Sequence, residues 1–482
     1  MLNQDTALFW LLFFAITFTF MGVFYARQPL DTVEDYVVAR NSQSTAATTL
    51  TLMATSLGAW ILFAPAQAAT WGGIGAVIGY ALGAMAPRFA IIPLGNRIRR
   101  LIPSGHTLSE VVLARYGQGM YSLVLLIMGF YLFITITAEI TAIAKLLALL
   151  APIPLWLTAL IVLVSTVIYT SYGGLRASIF TDKIQMVIIL PLLGLLIYLG
   201  WQAVDDISTV KSGLQQYAPT LLNWNDSDGM RAGATFFVAI LLTGLFHQGN
   251  WQRIYAAKST KSMRCGFLLA GVLVAPIIAI MGIFGLVFMA SGNPADSSTA
   301  LFNLLLPNIS SWVMIAIIPL GLALVMSSAD TAISAVSSLI AVDIRRLRPK
   351  ISNQSLMRLS RFLVIPLTIP VWWAVSQGYS VLYLFLLADL LCSAAAFPVF
   401  FGLFNRRYRA WLAIMSTIAG LVSGLSVFPG PNEPPTFLLE SFLLAALTPM
   451  IVSLACLPFI ARKNSYDFQQ LKIVIRRLDQ PS

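Results

Sequence analysis

The chain divides into apolar runs long enough to cross a membrane, and its basic residues are almost confined to alternate connections between them. Of the 30 Lys and Arg residues, 27 fall on every second connection or on the helix end beside it. This alternation is the positive-inside pattern of polytopic membrane proteins. It predicts an all-α membrane protein with about 13 transmembrane helices. The predicted spans are roughly residues 6–24, 46–67, 71–95, 118–144, 154–172, 180–201, 232–252, 265–290, 306–341, 360–376, 380–404, 410–428 and 437–460.

The composition supports the same class. Hydrophobic residues make up 58% of the chain and charged residues 10%, and the mean hydropathy of +0.83 lies far above that of a soluble globular domain. The net charge of +11 reflects membrane topology, because the basic residues are dispersed among short inner segments instead of forming one face. A nucleic-acid partner is therefore not expected.

The basic residues also predict which side of the membrane each connection occupies. Only Lys145, Lys211 and Arg231 are assigned to the outside, which puts the N-terminus outside and the C-terminus in the cytoplasm. We expect a multi-pass protein of the plasma membrane, in bacteria the inner membrane. The inner connections carry Arg97, Arg99, Arg100 and Arg115, then Lys258, Lys261 and Arg264, then Arg345, Arg346, Arg348 and Lys350, and finally Arg406, Arg407 and Arg409.

Several function classes are not supported by the sequence. No Gly-x-x-x-x-Gly-Lys-Ser/Thr run is present, so ATP-driven transport by this chain alone is not expected. Two histidines at unrelated positions provide no nucleophile, base and orienting group, so no catalytic residues are predicted. Cys265, Cys392 and Cys456 lie in or beside apolar spans without paired spacing, which favours packing over a disulfide or a zinc site.

Polar groups inside the apolar spans are the candidate functional residues, because lipid penalises any that lack a partner or an ion. The second span carries the small and hydroxyl residues Met53 to Trp60, with Gly58 able to let the helix open. An opened helix exposes carbonyl oxygens, which are hard ligands suited to sodium. Close helix packing by small residues is the alternative explanation.

The ninth span carries the sequence Met-Ser-Ser-Ala-Asp-Thr at its middle, from Met326 to Thr331. Three hydroxyls and one carboxylate thus fall within a turn and a half, and residues three apart share a helix face. Facing the carbonyls of an opened helix, these hydroxyls would form a sodium site. Hydroxyls bonded to their own backbone carbonyls are the alternative.

Two further segments interrupt the apolar pattern. The inner turn Tyr172 to Gln185 contains two adjacent glycines and Asp182, which by itself suggests a turn followed by a carboxylate that caps a helix. The seventh span contains Gly244 and Gly249, five residues apart, and we expect a second interrupted helix there.

The motif Tyr-x-x-Tyr-Gly-Gly-Leu-x-Ala followed by Thr-Asp-x-x-Gln, from Tyr169 to Gln185, resembles the signature of the sodium:solute symporter family. That family includes sodium/proline, sodium/sialic acid, sodium/glucose and sodium/pantothenate carriers. The Gly-Ala-Trp after the second-span motif, the Asn-Trp-Gln-Arg end of the seventh span and the Ser-Ser-Ala-Asp run also match.

The resemblance implies a LeuT-like core in which spans 2 to 6 and spans 7 to 11 form an inverted repeat. The implied divisions are a peripheral first helix and inner loop at 1–45, a first five-helix repeat at 46–202 and an outer loop at 203–231. A second repeat at 232–404 and two peripheral helices with a cytoplasmic tail at 405–482 complete the single transporter domain of 1–482.

The resemblance also implies a principal sodium site between the second and ninth spans. Its ligands would be the carbonyl oxygens of Ala54, Leu57 and Leu324 and the hydroxyls of Ser327 and Ser328. Asp182, Asp330 and Thr331 are candidates for a second ion site or a proton site.

Substrate recognition is expected in a cavity beside this ion site. By position, its lining would comprise Ser56, Gly58, Trp60, Thr135, Glu139, Gly244, His247 and Gln248, with Gln67 a further candidate. Glu139 is an intramembrane carboxylate, and a structural bond to a neighbouring helix hydroxyl is the alternative to a substrate contact. Trp60 and Phe246 equally suit packing. The substrate itself is not indicated.

The function that follows is sodium-coupled symport of a small organic solute, such as an amino acid or a carboxylate, by alternating access. Sodium ion is the expected co-substrate, and the other partners are the solute and the lipid bilayer, with no obligate protein partner. Three alternatives stay open: proton-coupled symport on the same fold, a transporter-like sensor that signals to a partner, and a uniporter or channel.

Overall fold

The computed structural model describes residues 1–27, 32–204, 206–223, 226–292, 295–431, 433–460 and 465–479. Short stretches of the predicted outer loop and cytoplasmic tail lie outside these ranges. Within them the chain is helical, and an isolated β-bridge between Gln43 and Ala257 is the single element of β structure. The α-helices are α1 Gln4–Ala26, α2 Val33–Val37, α3 Thr45–Ser56, α4 Ala64–Leu101, α5 Leu108–Tyr116, α6 Gln118–Leu150, α7 Leu155–Gln202, α8 Ile207–Tyr217, α9 Ser227–Gly244, α10 Gln248–Ala256, α11 Thr260–Ala290, α12 Ala300–Leu305, α13 Ser311–Leu347, α14 Asn353–Phe362, α15 Ile365–Ser376, α16 Val381–Phe401, α17 Ala410–Leu425, α18 Leu438–Cys456 and α19 Gln469–Val474. Short 3-10 helices lie at Ala59–Leu62, Pro219–Leu222, Ser297–Thr299, Leu306–Asn308 and Leu457–Phe459.

The membrane-spanning helices are fewer but longer than the predicted spans. In the described ranges, nine helices are long and apolar enough to cross a bilayer, and the pair α9 and α10, bent by 54°, makes a tenth. Two of the nine contain a sharp kink at a glycine with positive φ, Gly73 in α4 and Gly174 in α7. Each kink divides its helix between two predicted spans, because only glycine adopts that backbone conformation without strain. With α3 and the shorter α17 included, the helices cover all thirteen predicted segments.

The most enclosed helix is α13, whose residues from Ile317 to Ala335 are buried almost without interruption. It packs against α7, α6 and α3. Helices α1, α15 and α18 instead expose large apolar side chains, such as Phe20, Trp373 and Ile451. These outward surfaces are what a bilayer covers, so the polar hydroxyls of α13 lie at the centre of the bundle and the lipid-facing helices at its edge.

A seam of small residues joins α4 to α9. Gly75 and Gly79 of α4 face the backbone of Gly229 and Gly233 in α9, and a Cβ atom added at Gly79 would overlap the carbonyl oxygen of Gly233. Small residues allow helix backbones to approach this closely in membrane proteins. The seam fixes α4 against α9, and α11 packs along α4 as well.

Candidate functional site

The helix that enters the centre of the bundle is interrupted where its sequence predicts. Helix α3 ends at Ser56, because Leu57 (φ −94°, ψ 69°) and Gly58 (φ −80°, ψ 175°) leave the helical conformation. The last carbonyl groups of a helix have no amide one turn further on to bond with. The break therefore presents carbonyl oxygens without intrahelical partners to the interior of the bundle.

Glu139 of α6 holds this interruption open. Its carboxylate oxygen Oε2 accepts a hydrogen bond from the backbone N–H of Ala59 at 2.7 Å, and the side chain is buried. A Cβ atom at Gly58 would coincide with the Glu139 carboxylate, so only glycine leaves room for it. Glu139 thus caps the 3-10 turn that follows the break, in the manner of a carboxylate at a helix start.

The hydroxyls of α13 meet the open end of α3. Ser327 Oγ donates to the carbonyl oxygens of Ala54 at 3.1 Å and Leu324 at 2.9 Å. Ser328 Oγ donates to the carbonyl of Thr55 at 3.4 Å. Four of the residues predicted as sodium ligands, Ala54, Leu324, Ser327 and Ser328, are thus brought together, and the fifth, Leu57, is buried at the break itself.

The donor chemistry of this crossing suits a small hard cation. The groups predicted as ligands are neutral oxygens, carbonyls from α3 and α13 and hydroxyls from α13, and the Glu139 carboxylate interacts with Ser328 beside them. A hydroxyl proton can rotate away and leave the oxygen lone pairs free to coordinate an ion. Opened helices at the middle of transporters coordinate sodium in this way.

A second polar cluster adjoins the crossing and includes Asp182. Its carboxylate forms an ion pair with Arg253 of α10 at 3.1 Å, and both side chains are almost fully enclosed. Thr51 of α3 donates to Asp182 and accepts from Arg253 at 3.1 Å. Asp182 lies inside α7 and does not cap a helix, because α7 continues through it. The predicted capping role is therefore wrong.

Asp330 lies in the same cluster and is held by hydroxyl groups. Tyr169 and Ser178 each donate to its carboxylate at 2.8 Å, and Thr181 donates at 3.0 Å. The Thr331 hydroxyl accepts from Arg253 at 2.9 Å and lies 3.4 Å from the Thr55 hydroxyl. Asp182, Asp330 and Thr331 are thus one network that reaches the broken end of α3. When both carboxylates are ionised, Arg253 neutralises one of them, and the network keeps one excess negative charge.

A cavity of about 120 Å³ opens beside the crossing. Six of the predicted substrate residues line it: Ser56, Trp60, Thr135, Glu139, Gly244 and His247. Thr55 and Ser328 line it as well, so the cavity shares a wall with the hydroxyl–carbonyl crossing. Aromatic contacts form its apolar side, with Trp60 stacked on Tyr80 at 5.6 Å and next to Phe385 at 5.8 Å.

Three of the predicted candidates do not line the cavity. Gly58 makes room for Glu139 instead, and Gln67 accepts a hydrogen bond from Ser380 at 3.0 Å. The Gln248 amide donates to the carbonyl of His106 at 3.0 Å and accepts from the N–H of Leu108 at 3.2 Å. Gln248 therefore ties α10 to the inner connection before α5.

Two charged residues that the sequence analysis did not select line the cavity, Arg88 of α4 and Asp389 of α16. The charge pattern had counted Arg88 with the basic residues of an inner helix end. The signal that could have found both is a lone ionisable residue within an apolar span, which marks a functional candidate by default. Arg253 was noted only as part of a motif, and its ion pair with Asp182 was missed.

An ion cluster outside the spans joins the inner connections. His106 lies between Glu34 of α2, at 2.6 Å, and Glu110 of α5, at 3.1 Å, and Glu34 also pairs with Arg40. Burial disfavours the charged form of His106, but the neighbouring carboxylates of Glu110 and Glu34 raise its pKa to about 9. Burial likewise opposes ionisation of Glu34, but His106 and Arg40 lower the pKa of Glu34 to about 2.

Several known proteins are similar to this chain over most of its length. The model of the sodium:solute symporter family matches residues 36–420. The spermidine transporter DUR31 of Candida albicans is 26% identical over 403 residues, which are 82% of this chain and 75% of that protein. The urea-proton symporter DUR3 of Oryza sativa subsp. japonica is 22% identical over 403 residues, 74% of this chain and 55% of that protein. The chain thus spans only about half of the rice relative.

Among solved structures, a Na+-coupled sialic acid symporter in a substrate-bound outward-open state matches with a TM-score of 0.74 and 20% identity. The match covers 94% of this chain and 98% of that chain. The chain therefore has the LeuT-like fold expected from its sequence.

Proposed function

Because this chain belongs to the sodium:solute symporter family, a family of membrane transporters and not of enzymes, we propose that it imports a small organic solute together with sodium by alternating access. Sodium would bind at the crossing of α3 and α13, through the carbonyl oxygens of Ala54, Leu57 and Leu324 and the hydroxyls of Ser327 and Ser328. The solute would bind in the adjoining cavity. The solute class, the coupling ion and the residue roles are parts of this proposal.

The shared wall is the observation that carries the proposal. Thr55 and Ser328 line the cavity, and the same two residues meet at the crossing, where the Ser328 hydroxyl lies 3.4 Å from the Thr55 carbonyl. A cation at the crossing would draw α13 against the broken end of α3 and so order one side of the cavity. Binding of ion and solute would then be coupled, because each favours the same arrangement of the two helices.

The solute side of the proposal rests on the groups that face the cavity. Ser56, Thr135 and His247 offer polar contacts, while Trp60 and Gly244 shape the wall. Gly58 and Glu139 would act on the solute indirectly, by keeping the helix open, and Gln248 by holding α10 in place. Inward movement of one positive charge through 100 mV supplies about 2.3 kcal/mol, roughly fifty-fold in accumulation.

Uptake by proteoliposomes under an imposed sodium gradient tests the ion site. The double substitution Ser327→Ala with Ser328→Ala should abolish sodium-driven uptake, because it removes both hydroxyl ligands. Ser338→Ala is the matched control, since Ser338 is a buried hydroxyl of the same helix that bonds only to the Ala335 carbonyl in the described residues. Unchanged uptake in the double variant would refute the site.

Proton-coupled symport is the second candidate, and the excess carboxylate favours it. Asp182 is already paired with Arg253, whereas the Asp330 carboxylate is held by hydroxyls alone. Asp330 could therefore take up and release a proton during the cycle, and one relative is named a urea-proton symporter. Replacement of sodium by choline at fixed pH separates the two: uptake stops under sodium coupling and continues under proton coupling.

We further infer that the chain lies in a plasma membrane with its N-terminus outside. The charge asymmetry of the connections supports this orientation. A cysteine at the exposed Ser212, between α7 and α9, should react with an impermeant maleimide added to intact cells, and one at the exposed Ser259 should not. Labelling at Ser259 but not at Ser212 would show that the topology is the inverse of the one proposed.

A further inference from the structure

Arg88 places a positive charge at the cavity without a counter-ion. One guanidinium nitrogen donates to the Ala84 carbonyl and another to the Ser56 hydroxyl. Its Nε is buried and has no hydrogen-bond partner among the described residues. Within the same residues, no carboxylate lies within 4.0 Å of Arg88.

Asp389 places a negative charge at the same cavity, also without a counter-ion. The residue is 7% exposed, and no basic group of the described ranges pairs with it. The second cavity carboxylate, Glu139, is already engaged by the N–H of Ala59. Asp389 interacts with the hydroxyl of Thr243 but has no basic partner in the described ranges, so its carboxylate can still pair with a ligand cation.

The two charges face the same cavity. Arg88, Asp389 and Tyr131 all contribute to its lining. The two groups nevertheless form no ion pair with each other. This fold can pair buried charges, as Arg253 and Asp182 demonstrate, so two opposite charges left apart around a cavity require an explanation.

An unpaired charge inside a membrane bundle is costly, and such residues persist where a ligand or an ion completes them. A carboxylate alone would satisfy Arg88 and leave Asp389 unpaired, whereas an amine alone would do the reverse. A neutral solute such as urea or a polyol would leave both without a charged partner. A molecule that carries both charges satisfies both groups.

We propose that the transported solute is a small zwitterionic amino acid, with its carboxylate on the Arg88 guanidinium and its ammonium group on the Asp389 carboxylate. The planar guanidinium suits a carboxylate, since two parallel hydrogen bonds can form. Trp60, Tyr80 and Phe385 form an apolar wall of the cavity of about 120 Å³, which suits a small apolar side chain. This assignment rests on the proposed transport function and names its substrate class.

Binding to the purified full-length protein tests the assignment through single-charge analogues. The probes are L-alanine and L-proline, and for alanine the analogues propionate, which lacks the amine, and ethylamine, which lacks the carboxylate. Urea is the neutral probe. In sodium buffer at least one of the two amino acids should stabilise the protein against heat, and its single-charge analogues should bind on the order of 100-fold more weakly. Propionate, ethylamine or urea binding as well as either amino acid would overturn the assignment.

Each of two substitutions should remove the binding advantage that one of the two ligand charges provides. With Asp389→Asn, L-alanine should bind no better than propionate, because the ammonium has lost its partner. With Arg88→Gln, L-alanine should bind no better than ethylamine. Arg264→Gln is the matched control, since Arg264 contacts Asn96 away from the cavity. Retention of the wild-type preference in either cavity variant would overturn the assignment.

Thermal stabilisation by sodium alone shows whether a variant is folded and has an intact ion site. It therefore distinguishes a failure of the amino-acid assignment from a failure of the sodium proposal. A cavity variant that keeps the sodium response has an intact ion site, so its lost amino-acid binding supports the assignment. Amino-acid uptake that persists in choline overturns sodium coupling and supports the zwitterion site. Sodium-driven uptake of urea or a polyol that Arg88→Gln leaves unchanged overturns the zwitterion site and leaves the sodium proposal standing.

Discussion

Two arginines enter the helical bundle, and their surroundings differ in kind. Arg253 is enclosed by Asp182, Thr51 and Thr331, which together satisfy its guanidinium. Arg88 contacts a backbone carbonyl and the Ser56 hydroxyl, and its Nε has no partner in the described part of the chain. The Arg253 guanidinium is satisfied by the protein, although Oδ1 of its partner Asp182 has no hydrogen-bond partner in the described residues, whereas the Arg88 guanidinium itself lacks a partner.

The difference teaches how to separate structural from functional charges in a transporter. A charge whose partners all come from the protein holds helices together, and its removal should be felt in stability. A charge that lacks a partner and faces a cavity adds little to stability, and its removal should be felt in binding. The predictions below test this separation from the largest expected effect to the smallest.

Arg253→Gln should destabilise the protein by about 3–5 kcal/mol, because it leaves the buried Asp182 carboxylate uncompensated. Arg88→Gln should change stability by less than about 1 kcal/mol, since only hydrogen bonds of modest net value are lost. Thermal unfolding in detergent compares the two variants directly. The double variant Arg253→Gln with Asp182→Asn should recover much of the loss, and equal destabilisation by the two single variants would contradict the comparison.

The ion cluster around His106 extends the comparison to charges outside the spans. The pKa of His106 is raised to about 9, so its charged form stabilises the folded protein fully below the unfolded pKa near 6.5, and this contribution is lost as pH rises through 9. This shift corresponds to a loss on the order of 3 kcal/mol. Glu34, with its pKa lowered to about 2, contributes above pH 4.5 and loses its effect as pH falls through 2.

Hydrogen exchange of α2 and of residues 465–479 checks this pH dependence. Both segments meet at Glu34, whose carboxylate accepts from the N–H of Leu478 at 2.9 Å. Their protection should fall between pH 6.5 and 9 in the wild type. With His106→Gln the fall should disappear, and a fall that persists would assign it to another group.

Glu139 is a buried carboxylate that accepts a hydrogen bond from a backbone N–H, that of Ala59. Glu139→Leu should cost about 1–3 kcal/mol, because the buried N–H of Ala59 loses its acceptor. Glu139→Gln should cost less, since its amide oxygen can still accept. Thermal unfolding measures both, and a larger cost for Gln than for Leu would show that the N–H of Ala59 is not the group that matters.

The smallest effect is expected from one hydroxyl at the crossing. Ser327→Ala should weaken sodium binding about tenfold, because one neutral ligand contributes on the order of 1 kcal/mol. The sodium concentration that gives half-maximal thermal stabilisation measures the change. Ser338→Ala should leave that concentration unaltered, and a shift of equal size in both variants would point to a general effect on α13.

The sequence predicted those features whose signals are local. Apolar runs and charged connections located the helices, and a glycine within a small-residue segment located the break after Ser56. The hydroxyls of α13 were recognised because Ser327 and Ser328 stand together in an apolar span. Each signal is a pattern read along the sequence and needs no knowledge of what packs against it.

Pairings between distant segments could not be read in this way. Arg253 and Asp182 are 71 residues apart, and nothing local marks them as partners. Arg88 and Asp389 line one cavity only because the fold brings α4 and α16 together. Gln248 was assigned to the cavity by its position in the chain, but the bend before α10 turns its amide toward the inner connection at His106.

The glycine seam between α4 and α9 restricts how such a molecule can change shape. Where two helix backbones touch without side chains between them, the helices cannot slide past each other. We therefore expect α4 and α9 to move as one rigid unit. The two helices are far apart in the sequence, so the seam joins distant segments of the chain at this line. In the proposed alternating-access cycle, the flexing would then fall to the non-helical residues at Leu57 to Gly58 and before Gln248.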